Sequence, residues 1–205
     1  MTTRIPAIAL AITFVAAASL AGCSSIVKSN AAALYDFGPL TAQQSAAPLP
    51  ALPPVSIAGV HVPAWLDSNM MFYRLHYANS QQPRPYAQTR WTMTPAQLLT
   101  QRLKARIAHA GGVALSAADG AVDVPVLRME ADDFTQNFDA PDQSHGRVAL
   151  RASVFKGRAL VAQRSFIRQA PSPSADAAGG AVALAAATDA AIADIIVWLH
   201  GLPLK

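Results

Sequence analysis

The chain has 205 residues, of which 52% are hydrophobic and 14% charged, with 16 Lys and Arg against 12 Asp and Glu. Together with a positive mean hydropathy, this excludes a disordered polyelectrolyte and suits one domain with a sizeable core. A single cysteine excludes an intramolecular disulfide, a cysteine-rich zinc site and an iron–sulfur cluster.

Residues 1–22 are typical of a secretory signal peptide. Arg4 precedes an uncharged apolar run over residues 5–20, which is followed by the small residues before Cys23. The run is shorter than the roughly 20 residues that a helix needs to span a bilayer core. We therefore predict cleavage between Gly22 and Cys23 rather than a permanent transmembrane anchor.

The segment 20–23 (LAGC) resembles the bacterial lipobox, in which the cysteine thiol receives diacylglycerol. The resemblance implies a diacylglycerol thioether and an N-acyl chain such as palmitate on Cys23, with no other cofactor. Two or three acyl chains make such an anchor effectively permanent. Ser24, in place of Asp, favours the outer membrane by resemblance to Gram-negative sorting signals, with the folded domain in the periplasm. The alternative is an ordinary buried cysteine after a signal peptide.

The mature chain divides into a lipidated tether, residues 23–33, and one domain, residues 34–205. A short strand is expected at 34–37, and four prolines between residues 48 and 54 predict an extended loop. A strand is predicted at 55–62, before Pro63, and a second at 70–77, which is rich in aromatic and bulky apolar residues.

The clearest helix start is Thr94-Pro95-Ala96-Gln97, which has the residues of a capping box with Pro at the first helical position. Apolar residues then follow at spacings of three and four until Gly111-Gly112. The polar residues between them, Gln101, Arg102, Lys104 and Arg106, predict a solvated face, with an acidic partner or lipid headgroups as the alternative.

After this helix the apolar period becomes two, which predicts strands at 127–132, 147–155 and 160–167, the last two joined by a hairpin at Lys156-Gly157-Arg158. A loop is expected at 171–180 and a second helix at 182–199. Asp189 and Asp194 argue against a membrane span there, since each costs about 2.5–3.5 kcal/mol on insertion scales. The order of elements predicts an α+β single domain, with a mixed, mostly antiparallel sheet and two main helices packed on one face.

No catalytic or metal-binding motif is present, and we predict a protein that is not an enzyme. The five histidines have no ligand spacing. Asp142, Ser144 and His145 have the residue types of a hydrolase triad, but lie too close together in one turn to favour that geometry. Basic and acidic residues are interleaved, which argues against nucleic acid as a partner.

Aromatic residues are concentrated between residues 65 and 91 and indicate either core packing or a protein–protein surface. Aromatics beside arginine are enriched in interface hot spots. The candidate partner-binding residues are Trp65, Tyr73, Arg74 and Trp91.

Beyond the lipobox, a series of motifs resembles the ABC-type transport auxiliary lipoprotein family over nearly the whole mature chain. They are 35–38 (YDFG), 60–67 (VHVPAWLD), 71–75 (MFYRL), 134–139 (FTQNFD), 150–153 (LRAS), 162–166 (AQRSF), 177–180 (AAGG) and 186–190 (AATDA). The resemblance implies an α+β lipoprotein of the proteobacterial envelope that works with a permease, an ATPase and an MCE-domain substrate-binding protein to move lipids or other hydrophobic molecules.

On this interpretation the protein docks to the periplasmic MCE-domain subunit, ATP is hydrolysed on another subunit, and only Cys23 carries over as a site. Two alternatives remain open at this point. One is a lipoprotein that itself carries an apolar ligand, which predicts a cavity of several hundred Å³, on the scale of ligand pockets, between sheet and helices. The other is an envelope hydrolase that uses His145. A homo-oligomer, such as a ring, also remains open.

Overall fold

The computed structural model describes residues 31–40 and 52–204, so Gly22, Cys23, the rest of the predicted signal peptide and most of the tether lie outside the described residues. The described part contains eight strands and two helices, in this chain order: β1 Ala33–Tyr35, β2 Val55–His61, β3 Met70–Leu75, β4 Asn79–Trp91, α1 Pro95–His109, β5 Ala114–Ser116, β6 Val126–Ala140, β7 Gln143–Lys156, β8 Ala159–Pro171 and α2 Ala177–His200. Short 3₁₀ turns lie at Ala64–Leu66 and Ala117–Asp119.

The long strand β6 organises the sheet. On one side β6 pairs antiparallel with β7, and β7 with β8. On the other side β6 pairs with two parallel strands, β2 along its first half and β3 along its second. Beyond β2 lies β5, while β4 and then β1 follow β3. The sheet is therefore mixed, and its longest pairings are the antiparallel ones.

Both helices begin at side-chain caps that satisfy free backbone N–H groups. For α1, the Thr94 hydroxyl accepts from the Gln97 N–H and the Gln97 side chain accepts from the Thr94 N–H, as the sequence predicts. For α2, the Asp176 carboxylate accepts from the Gly179 N–H at 2.8 Å. This bond lowers the pKa of Asp176, aided by the Ser174 hydroxyl.

The core lies between the two helices and one face of the sheet. Its fully buried side chains include Leu99, Leu103, Phe134, Leu150 and Ile192. Helix α2 lies very close to β7: a Cβ added at Gly146 would lie only 2.6 Å from the Ala183 backbone carbon, so the glycine permits this approach. The predicted fold, an α+β domain with a mixed sheet and two main helices on one face, is confirmed.

The structure differs from the sequence prediction at several places, among them β6, which runs to Ala140 although the sequence predicts a strand only over residues 127–132. Strand β4 has no counterpart in the prediction, because Pro83 and Pro85 interrupt its pattern. Prolines fit there since residues 79–88 of β4 pair on one side only, with β3. The short β5 is also new. The predicted loop 171–180 is wrong at its end, because Asp176 caps α2 and places Gly179 and Gly180 inside the helix.

Helix α2 is long and apolar enough to cross a membrane by length and composition alone. In the structure it packs on the sheet, and half of its most apolar stretch is buried there. Such a helix is typical of a protein core as well as of a membrane. Asp189 near its centre makes the buried ion pairs described below, so the helix has polar partners within the domain.

Candidate functional site

The sheet face opposite the helices, here called the open face, carries two of the four predicted partner-binding residues. The Arg74 guanidinium lies 5.4 Å from the centre of the Trp65 ring, and the Trp65 ring meets the Phe72 ring edge-on at 5.3 Å. All three side chains are partly exposed. Trp65, Phe72 and Arg74 are called the aromatic–arginine cluster below.

The other two predicted residues lie elsewhere. Tyr73 pairs in register with Gln136 on the helix side of the sheet, where its ring contacts those of Tyr86 and Phe138 at 4.6 and 5.8 Å. Trp91 is 1% exposed and packs against Phe37 and Phe134 in the core. Trp91 therefore stabilises the fold and offers no surface to a partner, which corrects its assignment to a partner-binding surface.

A row of polar residues crosses the open face beside the cluster. Arg74, Asn137 and His145 are neighbours in register on β3, β6 and β7. The His145 Nδ1 lies 2.9 Å from an Asp139 oxygen, and the His76 Nδ1 lies 3.7 Å from the other. Within the described residues, the buried Asn137 Nδ2 and His145 Nε2 have no hydrogen-bond partner. The sequence spacing gave no sign that His76 and His145 would meet.

Ion pairs cover the rest of the open face. Arg147 pairs with Asp133 at 3.1 Å, and Arg151 pairs with Glu130 and, at 3.6 Å, with Asp132. Cross-strand pairs of this kind are partly solvated and contribute little stability, about 0.2–1 kcal/mol each. The open face thus carries partly exposed ion pairs and has aromatic residues at one end, while Thr135 and Asn137 on the same face are buried.

The structure separates the residues of the hydrolase hypothesis. Successive strand residues point to opposite faces, so Ser144 lies on the helix side and His145 on the open face. The Ser144 hydroxyl accepts a hydrogen bond from Gln136 Nε2 at 2.8 Å, while His145 faces Asp139. Because a nucleophile and its base must be in hydrogen-bond reach, this arrangement removes the support for a Ser144–His145 hydrolase.

Gln136 fixes the start of α2 on the sheet. Its Oε1 accepts from the Tyr86 hydroxyl at 2.8 Å, and its Nε2 donates to Ser144 and to the Asp176 carbonyl at 3.0 Å. Helix residue Gly180 leaves room for this side chain, since a Cβ there would lie 2.0 Å from Gln136 Oε1. Burial raises the pKa of Tyr86, and the nearby Tyr73 and Asp176 add to the shift.

The two arginines predicted to be solvated on α1 are buried, which corrects that expectation. Arg102 and Arg106 are 7% and 4% exposed, and both bind the two oxygens of Asp189 on α2 at 2.6–2.9 Å. Burial tends to raise the pKa of Asp189, but the hydrogen bonds and charges of the two arginines outweigh it and lower the pKa. The acidic partner of this face is therefore in the same chain.

The space between helices and sheet is filled by side chains, among them Leu99, Trp91 and Ile192. A groove of about 460 Å³ lies instead at the margin, open to solvent between β8 and the end of α2, and a smaller one of about 260 Å³ lies beside Phe37 and Leu98. The apolar-carrier hypothesis predicted a cavity in the interior, where the core is packed.

Metal binding finds no support in the part of the chain that the structure describes. No group of three or more His, Cys, Asp or Glu side chains there has the geometry to hold a metal ion. In the group formed by His76, Asp139 and His145, one carboxylate lies between two imidazoles.

Comparison with known proteins identifies a family. Residues 35–196 match the family described as the ABC-type transport auxiliary lipoprotein component. The fold resembles that of a Xanthomonas campestris protein assigned to the DUF330 family, with a TM-score of 0.64 and 18% identity over 74% of this chain and 86% of that one. A second crystal structure, described as an uncharacterized protein, gives a TM-score of 0.62 and 17% identity over 82% and 99%. No curated protein matches significantly.

Proposed function

Because the chain belongs to the ABC-type transport auxiliary lipoprotein family, we propose that it is the non-catalytic, lipid-anchored subunit of an MCE-type transport system. In this role it docks to the periplasmic MCE-domain substrate-binding protein. The system moves lipids or other hydrophobic molecules across the Gram-negative envelope. The observation that carries the proposal is the family match, which spans residues 35–196 and so nearly the whole described domain.

The anchor in this proposal is Cys23, acylated at the start of the mature chain. The motif 20–23 (LAGC) supports it, as does the lipoprotein description of the family. Mass spectrometry of the protein purified from membranes would show diacylglycerol and an N-acyl chain on Cys23, with residues 1–22 removed. A Cys23→Ser variant is the matched control and should leave the membrane fraction. An unmodified thiol in the native protein would contradict the anchor.

The docking role is supported by what the domain contains and how it is arranged. The sequence has no phosphate-binding loop, so the energy of ATP must enter through another subunit. The interior is packed, which favours contact with a carrier over carriage itself. The aromatic–arginine cluster on the open face has the residue types that dominate binding energy at protein interfaces.

Copurification of the full-length lipoprotein in mild detergent tests the docking role. We expect an MCE-domain protein to copurify with it, and Trp65→Ala or Arg74→Ala to reduce the recovered partner at least about tenfold, as removal of a hot-spot residue does. Arg128→Ala is the matched control, because Arg128 also lies over an aromatic ring, that of Phe155, but far from the cluster. If no MCE-domain protein copurifies and a deletion strain has normal lipid traffic, the proposed function is contradicted.

A further inference from the structure

Strand β8 forms a long open edge of the sheet. It has 13 residues and, within the described part of the chain, pairs only with β7. Unpaired edges tend to recruit further strands, and proteins usually protect them with proline or a covering element. Strand β4 shows this protection, since Pro83 and Pro85 interrupt its open side. Strand β8 has no proline before its last residue.

The residues of this edge are mostly exposed, including the apolar Leu160 at 54% and Ile167 at 50%. The carbonyl of Ile167 accepts a hydrogen bond of 3.1 Å from the guanidinium of the adjacent Arg168. A side chain here occupies the position that the N–H group of a neighbouring strand would take.

A groove of about 460 Å³ runs along this edge, between β8 and the last turns of α2. Its β8 side carries Arg164, Phe166 and Arg168, and its helix side carries Val197, Trp198 and Asp194, the carboxylate that pairs with Arg168. A strand added beside β8 would direct every second side chain into this groove, because strand residues alternate between faces. Val197 is 57% exposed, so the helix wall offers an apolar surface to such side chains.

We propose that β8 accepts an extended segment of a partner protein in which acidic and apolar residues alternate. The segment adds a ninth strand to the sheet, its backbone pairs with the open edge, and its inward side chains fill the groove. The apolar side chains contact Val197 and Trp198, and the acidic ones meet Arg164. This surface is separate from the aromatic–arginine cluster and goes beyond the proposed function.

The charges on β8 favour an acidic and apolar partner segment over a second copy of this chain and over a membrane surface. Strand β8 contains Arg164 and Arg168 and no acidic residue, so pairing with β8 of a second copy would bring like charges together, which is destabilising. Arg168 already pairs with Asp194, whereas Arg164 has no acidic partner among the described residues and lies over the Phe166 ring. A membrane surface would satisfy Arg164 as well, but it cannot supply the backbone groups that a 13-residue edge can bind.

Hydrogen exchange of the full-length protein in detergent micelles tests the proposal. The probe is a synthetic ten-residue peptide of alternating Glu and Val, and its control replaces each Glu by Lys. We expect the Glu–Val peptide to slow amide exchange in residues 163–169 about tenfold, with no change in β4, and the Lys–Val peptide to have no effect. No protection, or equal protection by both peptides, would overturn the proposal.

Three variants and two further measurements separate the alternatives. Ile167→Pro removes an edge N–H and should abolish the protection, whereas Ile167→Val keeps the N–H and should retain it. Arg164→Glu, which leaves the backbone unchanged, should also abolish it and serves if the proline variant fails to fold. Protection of the same residues by anionic phosphatidylglycerol vesicles, or by raising the protein concentration without peptide, would assign the edge to a membrane or to a second copy and overturn the proposal.

Discussion

Arg102 of α1 binds Asp189 of α2 in a bidentate ion pair, with Nε to Oδ1 and Nη2 to Oδ2 both at 2.7 Å. Arg106, one turn further along α1, binds the same two oxygens. Planar, charge-assisted pairs of this kind fix both distance and orientation. The carboxylate thus connects the two helices that cover the sheet.

Removal of this carboxylate should destabilise the domain strongly. Asp189→Ala leaves Arg102 and Arg106 buried without their counter-charge, and breaking a buried pair in this way costs about 3–5 kcal/mol. The measurement is the free energy of unfolding from urea titration. Asp194→Ala is the control on the same helix, since its partner Arg168 is half exposed, and it should cost less than about 1 kcal/mol. Equal losses in the two variants would refute the structural role of Asp189.

The lowered pKa of Asp189 predicts a loss of stability in acid. The Asp189 carboxyl has a pKa of about 3.9 in the unfolded chain and a lower pKa in the folded domain. The contribution of this group is therefore complete above about pH 4 and disappears as the pH falls through the folded pKa. Asp189→Asn should be less stable than the wild type at neutral pH, but should lose less stability on acidification below about pH 4. Parallel acid dependence of the two proteins would contradict this prediction.

Gly180→Ala should destabilise the domain although alanine favours helix. The added Cβ would lie 2.0 Å from Gln136 Oε1, and Gln136 is held by Tyr86 and Ser144. We expect overpacking to destabilise the domain by about 1–3 kcal/mol, which exceeds the stability of about 1 kcal/mol gained from the higher helix propensity of alanine. Thermal unfolding by circular dichroism measures the difference.

The control for this substitution is Gly59→Ala, where a Cβ would meet nothing within 4 Å. It should change stability by less than about 0.5 kcal/mol. Gln136→Ala in the Gly180→Ala background should remove the clash, so that the two changes together cost less than the sum of each alone. If the cost of the double variant equals the sum of the two single costs, residues other than Gln136 accommodate the added Cβ.

Local signals in the sequence predicted much of the fold. The capping box at Thr94 and the hairpin glycine, Gly157, act within a few residues of themselves, so their outcome does not depend on the rest of the chain. The sequence predicts an N-terminus of α2 that is too late, because Gly179 and Gly180 suggest a loop. Their role becomes clear only when Gln136 and Ser174 occupy the space that a Cβ would need.

The candidate sites were less predictable, because they depend on residues that are distant in sequence. Arg102 and Asp189 are 87 residues apart, and no local pattern distinguishes a buried arginine from a solvated one. Trp65 and Trp91 have the same residue type and lie in the same aromatic segment, but only the fold places Trp65, on the 3₁₀ turn after β2, against Phe72 on the open face and Trp91, at the end of β4, in the core. Strand β4 was missed because its prolines are tolerated by an open edge that the sequence does not reveal.

Tyr86 should make the domain sensitive to alkaline pH. Its folded pKa is raised above the value of about 10 in the unfolded chain, so its contribution is complete below about pH 10 and is lost as the pH rises towards the folded pKa. Tyr86→Phe removes the hydrogen bond to Gln136, which costs about 1 kcal/mol at neutral pH. The variant should then lose less stability than the wild type above about pH 10. Tyr77→Phe, at a half-exposed position, is the control and should keep the alkaline dependence of the wild type. If Tyr86→Phe and Tyr77→Phe lose stability equally between neutral and alkaline pH in urea titrations, the buried phenol is not the cause.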